Sequence, residues 1–135
     1  MNPNDTKIFY WDSSALGKFI VRETESRSLS AFRRQHSGAS HATSLSTRVE
    51  VGRIAGRTGD LGPVAEVLSG LMEIPLTPEI VARATALQPA TLRSLDAIHL
   101  ASALALGDAL EAVVTYDSRL RAATELAGLR VVSPL

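Results

Sequence analysis

Short apolar runs alternate along the chain with longer segments in which apolar side chains recur every three or four positions, the pattern of strands joined by amphipathic helices. The runs Ile8 to Trp11, Ser40 to Thr43, Glu73 to Leu76, Ala112 to Tyr116 and Arg130 to Val132 read as strands. Between them the spacing predicts helices over 14–20, 25–35, 46–57, 63–71, 78–87, 94–106 and 118–127. In the second of these, Leu29 and Phe32 face one side among charged neighbours; in the third, Val49 is expected in a buried stripe, with Gly59 as the stop. Thr77 followed by Pro78 marks a helix start, Ser94 is expected to cap the next helix, and Gly107 and Gly128 stand at helix ends. The helix from Ser94 is apolar on most sides, through Leu95, Ile98, Leu100, Ala101, Leu104 and Ala105, and is expected to be sandwiched inside the molecule. Strands separated by one or two helices from end to end predict an α/β fold with a parallel sheet.

A chain of 135 residues suits one domain spanning 1–135, and 45% apolar against 21% charged residues is a globular composition. Aromatics at 4% leave the core to Leu, Val, Ile and Ala. With no cysteine, a disulfide framework and a thiolate metal site are excluded, so carboxylate and imidazole are the strong ligands that remain and a hard cation is the default. Met1 to Lys7 is polar and no apolar run is long enough to span a bilayer, from which a cytoplasmic protein without a membrane partner is expected. The sequon Asn4-Asp5-Thr6 carries little weight without a secretion signal. Fourteen basic residues balance fourteen acidic ones, so any surface for a polyanion must be local. Only Lys7 and Lys18 of the fourteen are lysine; arginine suits bidentate phosphate contacts, although a bias toward arginine codons explains the count equally well.

Four acids stand where strands give way to helices or near helix starts: Asp12, Glu50, Asp96 and Asp117. Each has an ordinary explanation. Asp12 and Asp117 suit helix N-caps. Asp96 sits in a first helical turn, where the macrodipole favours a carboxylate. Glu50 has Arg53 and Arg57 on its own helix as ion-pair partners. Their coexistence adds something more, because parallel strands would send these elements toward the carboxyl edge of one sheet, where open α/β sheets place their chemistry. Two carboxylates about 4 Å apart repel by roughly 4 kcal/mol at an effective dielectric near 20, so a tight cluster calls for a cation or a proton. Mg2+ or Mn2+ would meet that need and would serve phosphodiester hydrolysis.

The segments Trp11-Asp12-Ser13-Ser14-Ala15-Leu16, Val49-Glu50-Val51, Leu95-Asp96-Ala97-Ile98-His99-Leu100-Ala101 and Val113-Val114-Thr115-Tyr116-Asp117-Ser118-Arg119-Leu120 together resemble the PIN-domain ribonucleases, and among them the VapC-type toxins of toxin-antitoxin pairs. The resemblance runs in order over nearly the whole chain. It implies a three-layer α/β/α sandwich around a parallel sheet of four or five strands, and hydrolysis of single-stranded or looped RNA with Mg2+ or Mn2+. It makes Asp12 and Asp96 the firmest metal ligands, with Asp117 and Glu50 completing the catalytic pocket directly or through water. Ser14 and Thr115 would supply hydroxyls that orient those carboxylates beside the substrate. A small antitoxin and a homodimer are the implied partners.

Arg119 is a candidate for the scissile phosphate or else an intrahelical partner for an acid. His99, three residues after Asp96, is read as a core histidine or one supporting the pocket rather than a ligand. Gly52 and Gly56 suit close packing inside the chain or a dimer contact, while Arg33, Arg34, Arg48, Arg53 and Arg57 fit either an RNA track or a solvated surface. Two other readings compete. A phosphoacceptor receiver would want a late lysine, which is missing, and a non-catalytic PIN-like module binding RNA or protein would not need all four acids.

Overall fold

The computed structural model describes residues 7–135, so the polar N-terminal stretch and its sequon lie outside the described residues apart from Lys7. Five strands, β1 (Ile8–Trp11), β2 (Ser40–Ser44), β3 (Met72–Ile74), β4 (Leu110–Val114) and β5 (Val131–Val132), form one sheet in the order β3-β2-β1-β4-β5. Every pairing is parallel, with Tyr10 beside Ala42 on one flank and Val113 on the other. The helices are α1 (Ser13–Leu16), α2 (Ser26–Gln35), α3 (Thr47–Thr58), α4 (Gly62–Leu68), α5 (Pro78–Ala86), α6 (Ser94–Leu104) and α7 (Ser118–Leu126).

Because side chains alternate across a strand, β1 feeds both faces of the sheet. Phe9 and Trp11 join Ala112 and Val114 under α1, α2 and α4, through Leu16, Leu29 and Leu68. Tyr10 and Val113 point the other way, onto Ala103 of α6, and Leu100 continues that layer to Leu120 and Ala123 of α7. The result is the expected three-layer α/β/α sandwich, with all five strands present. The chain leaves β1 toward β2 and β3, then returns to β4 and β5 on the far side. That reversal puts the topological switch point between β1 and β4, where ligand crevices of open α/β sheets lie.

Several local expectations shift. Pro75 has no N–H to extend a ladder, so β3 ends at Ile74. The single helix expected over 14–20 breaks into one α-turn and a 3-10 turn over Gly17–Phe19, where a Cβ on buried Gly17 would meet Ile54 Cδ1 at 3.0 Å. Val49 is exposed; the buried stripe of α3 is Thr47, Val51 and Ala55. Thr77 caps α5 as expected, accepting from the Ile80 N–H at 3.2 Å, whereas Ser94 is the first residue of α6 and Arg93, with no side-chain cap bond, precedes it. Leu95 and Ala105 face solvent at the two ends of α6, while His99, Leu100, Ala101, Ser102 and Ala103 are buried in succession, so the middle of the helix is covered on every side as expected. Gly59 and Gly128 close their helices at positive φ (82° and 84°), a conformation glycine adopts without Cβ strain; Gly107 opens a 3-10 turn after α6 has ended.

Candidate active site at the carboxyl edge of the sheet

β1 ends on Asp12, which lies beside β4: its N–H donates to the Val114 carbonyl at 3.2 Å. Its carboxylate caps α1 by accepting from the Ala15 N–H at 3.0 Å. It also accepts from the Ser14 hydroxyl, at 2.8 Å to each oxygen, and from the Thr115 hydroxyl at 2.6 Å. The capping explanation and the site explanation are thus compatible. Asp12 is 2% exposed, and burial pushes its carboxyl up despite the His99 ring and these donors. Thr115 is wholly buried, so its hydroxyl serves Asp12; it also accepts from the Asp117 N–H.

Asp117 follows β4 and caps α7 with Oδ1, accepting from the N–H groups of Arg119 and Leu120 at 2.8 and 3.0 Å. Glu50, in the first turn of α3, does not pair with Arg53 or Arg57. Its Oε2 accepts from the Ser13 hydroxyl at 2.6 Å and its Oε1 from His99 Nε2 at 2.8 Å. Burial alone would raise the Glu50 carboxyl, but His99 and Ser13 outweigh it and hold the group below its ordinary value. Asp96, in the first turn of α6, is different: among the described residues its carboxylate has no hydrogen-bond partner. Burial raises it, and the Asp117, Asp12 and Glu50 carboxylates raise it further against the His99 ring. That mutual influence places all four acids in one electrostatic neighbourhood.

His99 is buried on the side of α6 that faces β1. Its Nδ1 meets the Tyr10 hydroxyl at 2.7 Å and its Nε2 reaches Glu50, so both ring nitrogens are taken by protein groups and the ring buttresses the acidic pocket. Burial would depress the ring, yet Glu50, Asp12 and Asp96 together keep it above its ordinary value. Two of these groups escaped the sequence reading. Ser13 was visible only as the neighbour of Asp12, and Tyr10 only as one apolar strand residue; nothing in their spacing announced Glu50 or His99 as partners.

A cleft of ≈ 560 Å³ opens beside the pocket, lined by Ser13, Ser14, Lys18, Ile54, Arg57, Tyr116 and Asp117 among others. Of the five arginines weighed as an RNA track, Arg57 alone lines it; Arg48 is held by Glu73 at 2.6 Å, and Arg33 and Arg34 lie on α2. Neither Gly52 nor Gly56 is needed for a close approach: a Cβ on Gly52 would meet nothing within 4 Å, and one on Gly56 would meet Leu61 Cδ2 at 3.9 Å, an ordinary contact. The internal-packing reading of that pair therefore fails, and the surface along Leu45, Val49, Gly52 and Gly56 is left largely open.

Residues 9–126 match the family model described as the PIN domain. The chain belongs to the PIN-domain family. Among characterised relatives of this PIN domain, Ribonuclease VapC47 of Mycobacterium tuberculosis is 40% identical over 132 residues, covering 94% of this chain and 97% of the relative. Ribonuclease VapC35 of the same species is 38% identical over 131 residues (94% and 97%), and Ribonuclease VapC46 is 38% identical over 128 (93% and 96%). The match thus spans all four acidic segments of the PIN domain. No helix among its described residues is long and apolar enough to cross a membrane.

Among the described residues, no three His, Asp or Glu side chains are gathered as a ready-made metal cage. The donor set nonetheless fits a magnesium-like ion, which binds through one or two carboxylates and keeps several waters. Asp96 has its oxygens uncommitted; burial chiefly raises its proton affinity, and the neighbouring carboxylates add negative charge that a cation would relieve.

Proposed function

We propose that this PIN domain is a metal-dependent endoribonuclease that cuts single-stranded or looped RNA and acts as the toxin of a toxin-antitoxin pair. The observation that carries the reading is the bonded acidic pocket at the switch point between β1 and β4, where Thr115 ties Asp12 to the Asp117 backbone, Ser13 and His99 hold Glu50, and Asp96 is left without a bond among the described residues. The ribonuclease relatives named above supply the substrate class. In this reading Asp96, Asp12 and Asp117 hold Mg2+ or Mn2+. Such an ion supplies polarisation of a phosphoryl oxygen and hydroxide from bound water. Ser14 and Thr115 keep Asp12 aimed, Ser13 and His99 keep Glu50 ionised and fixed, and Arg119 holds the phosphate.

The same reading includes a small antitoxin that places an arginine among the carboxylates, where unrelieved negative charge favours it. It also includes a homodimer, supported by the exposed Leu45 and Val49 in line with the open Gly52 and Gly56. The test is RNA cleavage by purified protein with Mg2+ or Mn2+, with chelator, and with Asp96→Asn, alongside growth on expression. Full activity in chelator refutes the metal chemistry. RNA binding without any cleavage under all metal conditions leaves the non-catalytic module in its place.

A further inference from the structure

A second hollow, of ≈ 560 Å³, lies between the loop leading into α6 and the outer side of α7. Its volume falls within the range of about 300–1,000 Å³ common for ligand sites. Leu92, Ala122, Ala123 and Leu126 form an apolar lining, and Leu126 is 72% exposed. Arg93 and Arg119 share the same hollow. Among the described residues neither guanidinium has an acidic partner within ion-pair distance, although Asp96 and Asp117 lie three and two positions away in sequence. The hollow therefore adjoins the acidic pocket with the opposite character.

We propose that this hollow binds the nucleotide next to the bond that is cut, its base laid on Leu92 and Leu126 and its phosphate held by Arg93, beside the scissile phosphate held by Arg119. The inference rests on the RNA reading above and adds a place for the chain to run. A polyanion approaching four carboxylates is repelled, and a protein of zero net charge has no global field to offset that repulsion. Two unpaired arginines at the same edge supply the offset locally, through phosphate contacts that release counterions. Beyond the two arginines the lining offers one polar side chain, Thr91, so it contributes affinity by packing more than it selects a base.

The test is fluorescence anisotropy with a labelled single-stranded RNA of mixed sequence, metal chelated, over a range of salt concentrations. Arg93→Ala and Arg119→Ala should each weaken binding and lower the slope of log affinity against log salt by about 0.7, the value for one lost phosphate contact on a single strand. Leu126→Ser should weaken binding several-fold with the slope unchanged. Arg130→Ala, whose arginine is paired with Glu111 at 2.9 Å elsewhere on the sheet, should match wild type. Wild-type slopes in both arginine variants overturn the proposal, as does a Leu126→Ser protein whose oligomeric mass changes while its RNA affinity does not. Wild-type protein that neither binds nor cuts RNA removes the ribonuclease reading as well; wild-type binding with unaltered variants removes this proposal alone.

Discussion

His99 Nε2 donates to Glu50 Oε1 at 2.8 Å, and the opposite ring nitrogen meets the Tyr10 hydroxyl at 2.7 Å. Whether the ring is neutral or charged, Nε2 carries the proton that Glu50 accepts, because Tyr10 can donate to a bare Nδ1 or accept from a protonated one. Ser13 occupies the other oxygen of Glu50. The four acids therefore divide into carboxylates fixed by protein donors and one, Asp96, that is not.

Removal of His99 strands a half-buried carboxylate. His99→Ala is expected to destabilise the fold by about 2–3 kcal/mol, below the full cost of breaking a buried pair because Glu50 keeps some solvent access. Combining it with Glu50→Gln should recover part of that loss, since a neutral amide is cheaper to bury alone. Denaturant midpoints of the two single variants and the double variant check this; strict additivity contradicts the coupling.

Asp12 and Asp96 should respond oppositely to the same substitution. Asp96→Asn removes charge from a crowded pocket and breaks no hydrogen bond among the described residues, so the metal-free fold should be as stable as wild type or slightly more so, with cleavage lost. Asp12→Asn puts an amide against the hydroxyls of Ser14 and Thr115 and should cost about 1–2 kcal/mol. Metal-free melting temperatures and cleavage rates, with Asp108→Asn as the control, separate the two. A destabilised but active Asp96→Asn protein removes that residue from the chemistry.

The metal-free protein should be more stable in mild acid than in mild base. Asp12, Asp96 and His99 all have folded affinities for the proton above their ordinary values, so each adds stability that is lost as pH rises from 3.8 for the aspartates, or 6.5 for the histidine, through the raised value. Glu50 is lowered, and its contribution is present above 4.5 and lost as pH falls through the lowered value. The melting temperature in chelator should therefore fall as pH rises above 6.5, the ordinary histidine value. A rise in that direction contradicts the assigned shifts.

Divalent metal should invert that trend. An ion bound only by the folded state at a hundred times its dissociation constant adds about 2.7 kcal/mol. Titration with Mg2+ or Mn2+ should raise the melting temperature of wild type at neutral pH and raise that of Asp96→Asn far less. Equal shifts in both proteins would place the ion elsewhere.

Most of the architecture was legible along the chain because periodicity is a local property. Phe9-Tyr10-Trp11 and Val113-Val114 are continuous apolar runs, as strands covered on both faces must be, and Thr77-Pro78 and Gly59 mark ends by backbone chemistry that needs no partner. Solvent exposure was less legible where it depends on what covers a helix: Val49 is apolar yet faces outward, since the β-sheet side of α3 is taken by Thr47, Val51 and Ala55.

The acids were legible as types, Asp12 and Asp117 at strand ends and Glu50 and Asp96 near helix starts, and their four segments carry the resemblance to the family. Their division of labour was not. Ser13 and Glu50 lie 37 positions apart, Glu50 and His99 49, and Thr115 and Asp12 103, so each bond exists only once β1 and β4 lie side by side with α3 and α6 packed against opposite faces of the sheet. Local order set the elements and the residue types at the sheet edge; long-range packing decided which carboxylate is held by a hydroxyl, which by an imidazole, and which stands open, because hydrogen bonds and desolvation depend on distance in space and not along the chain.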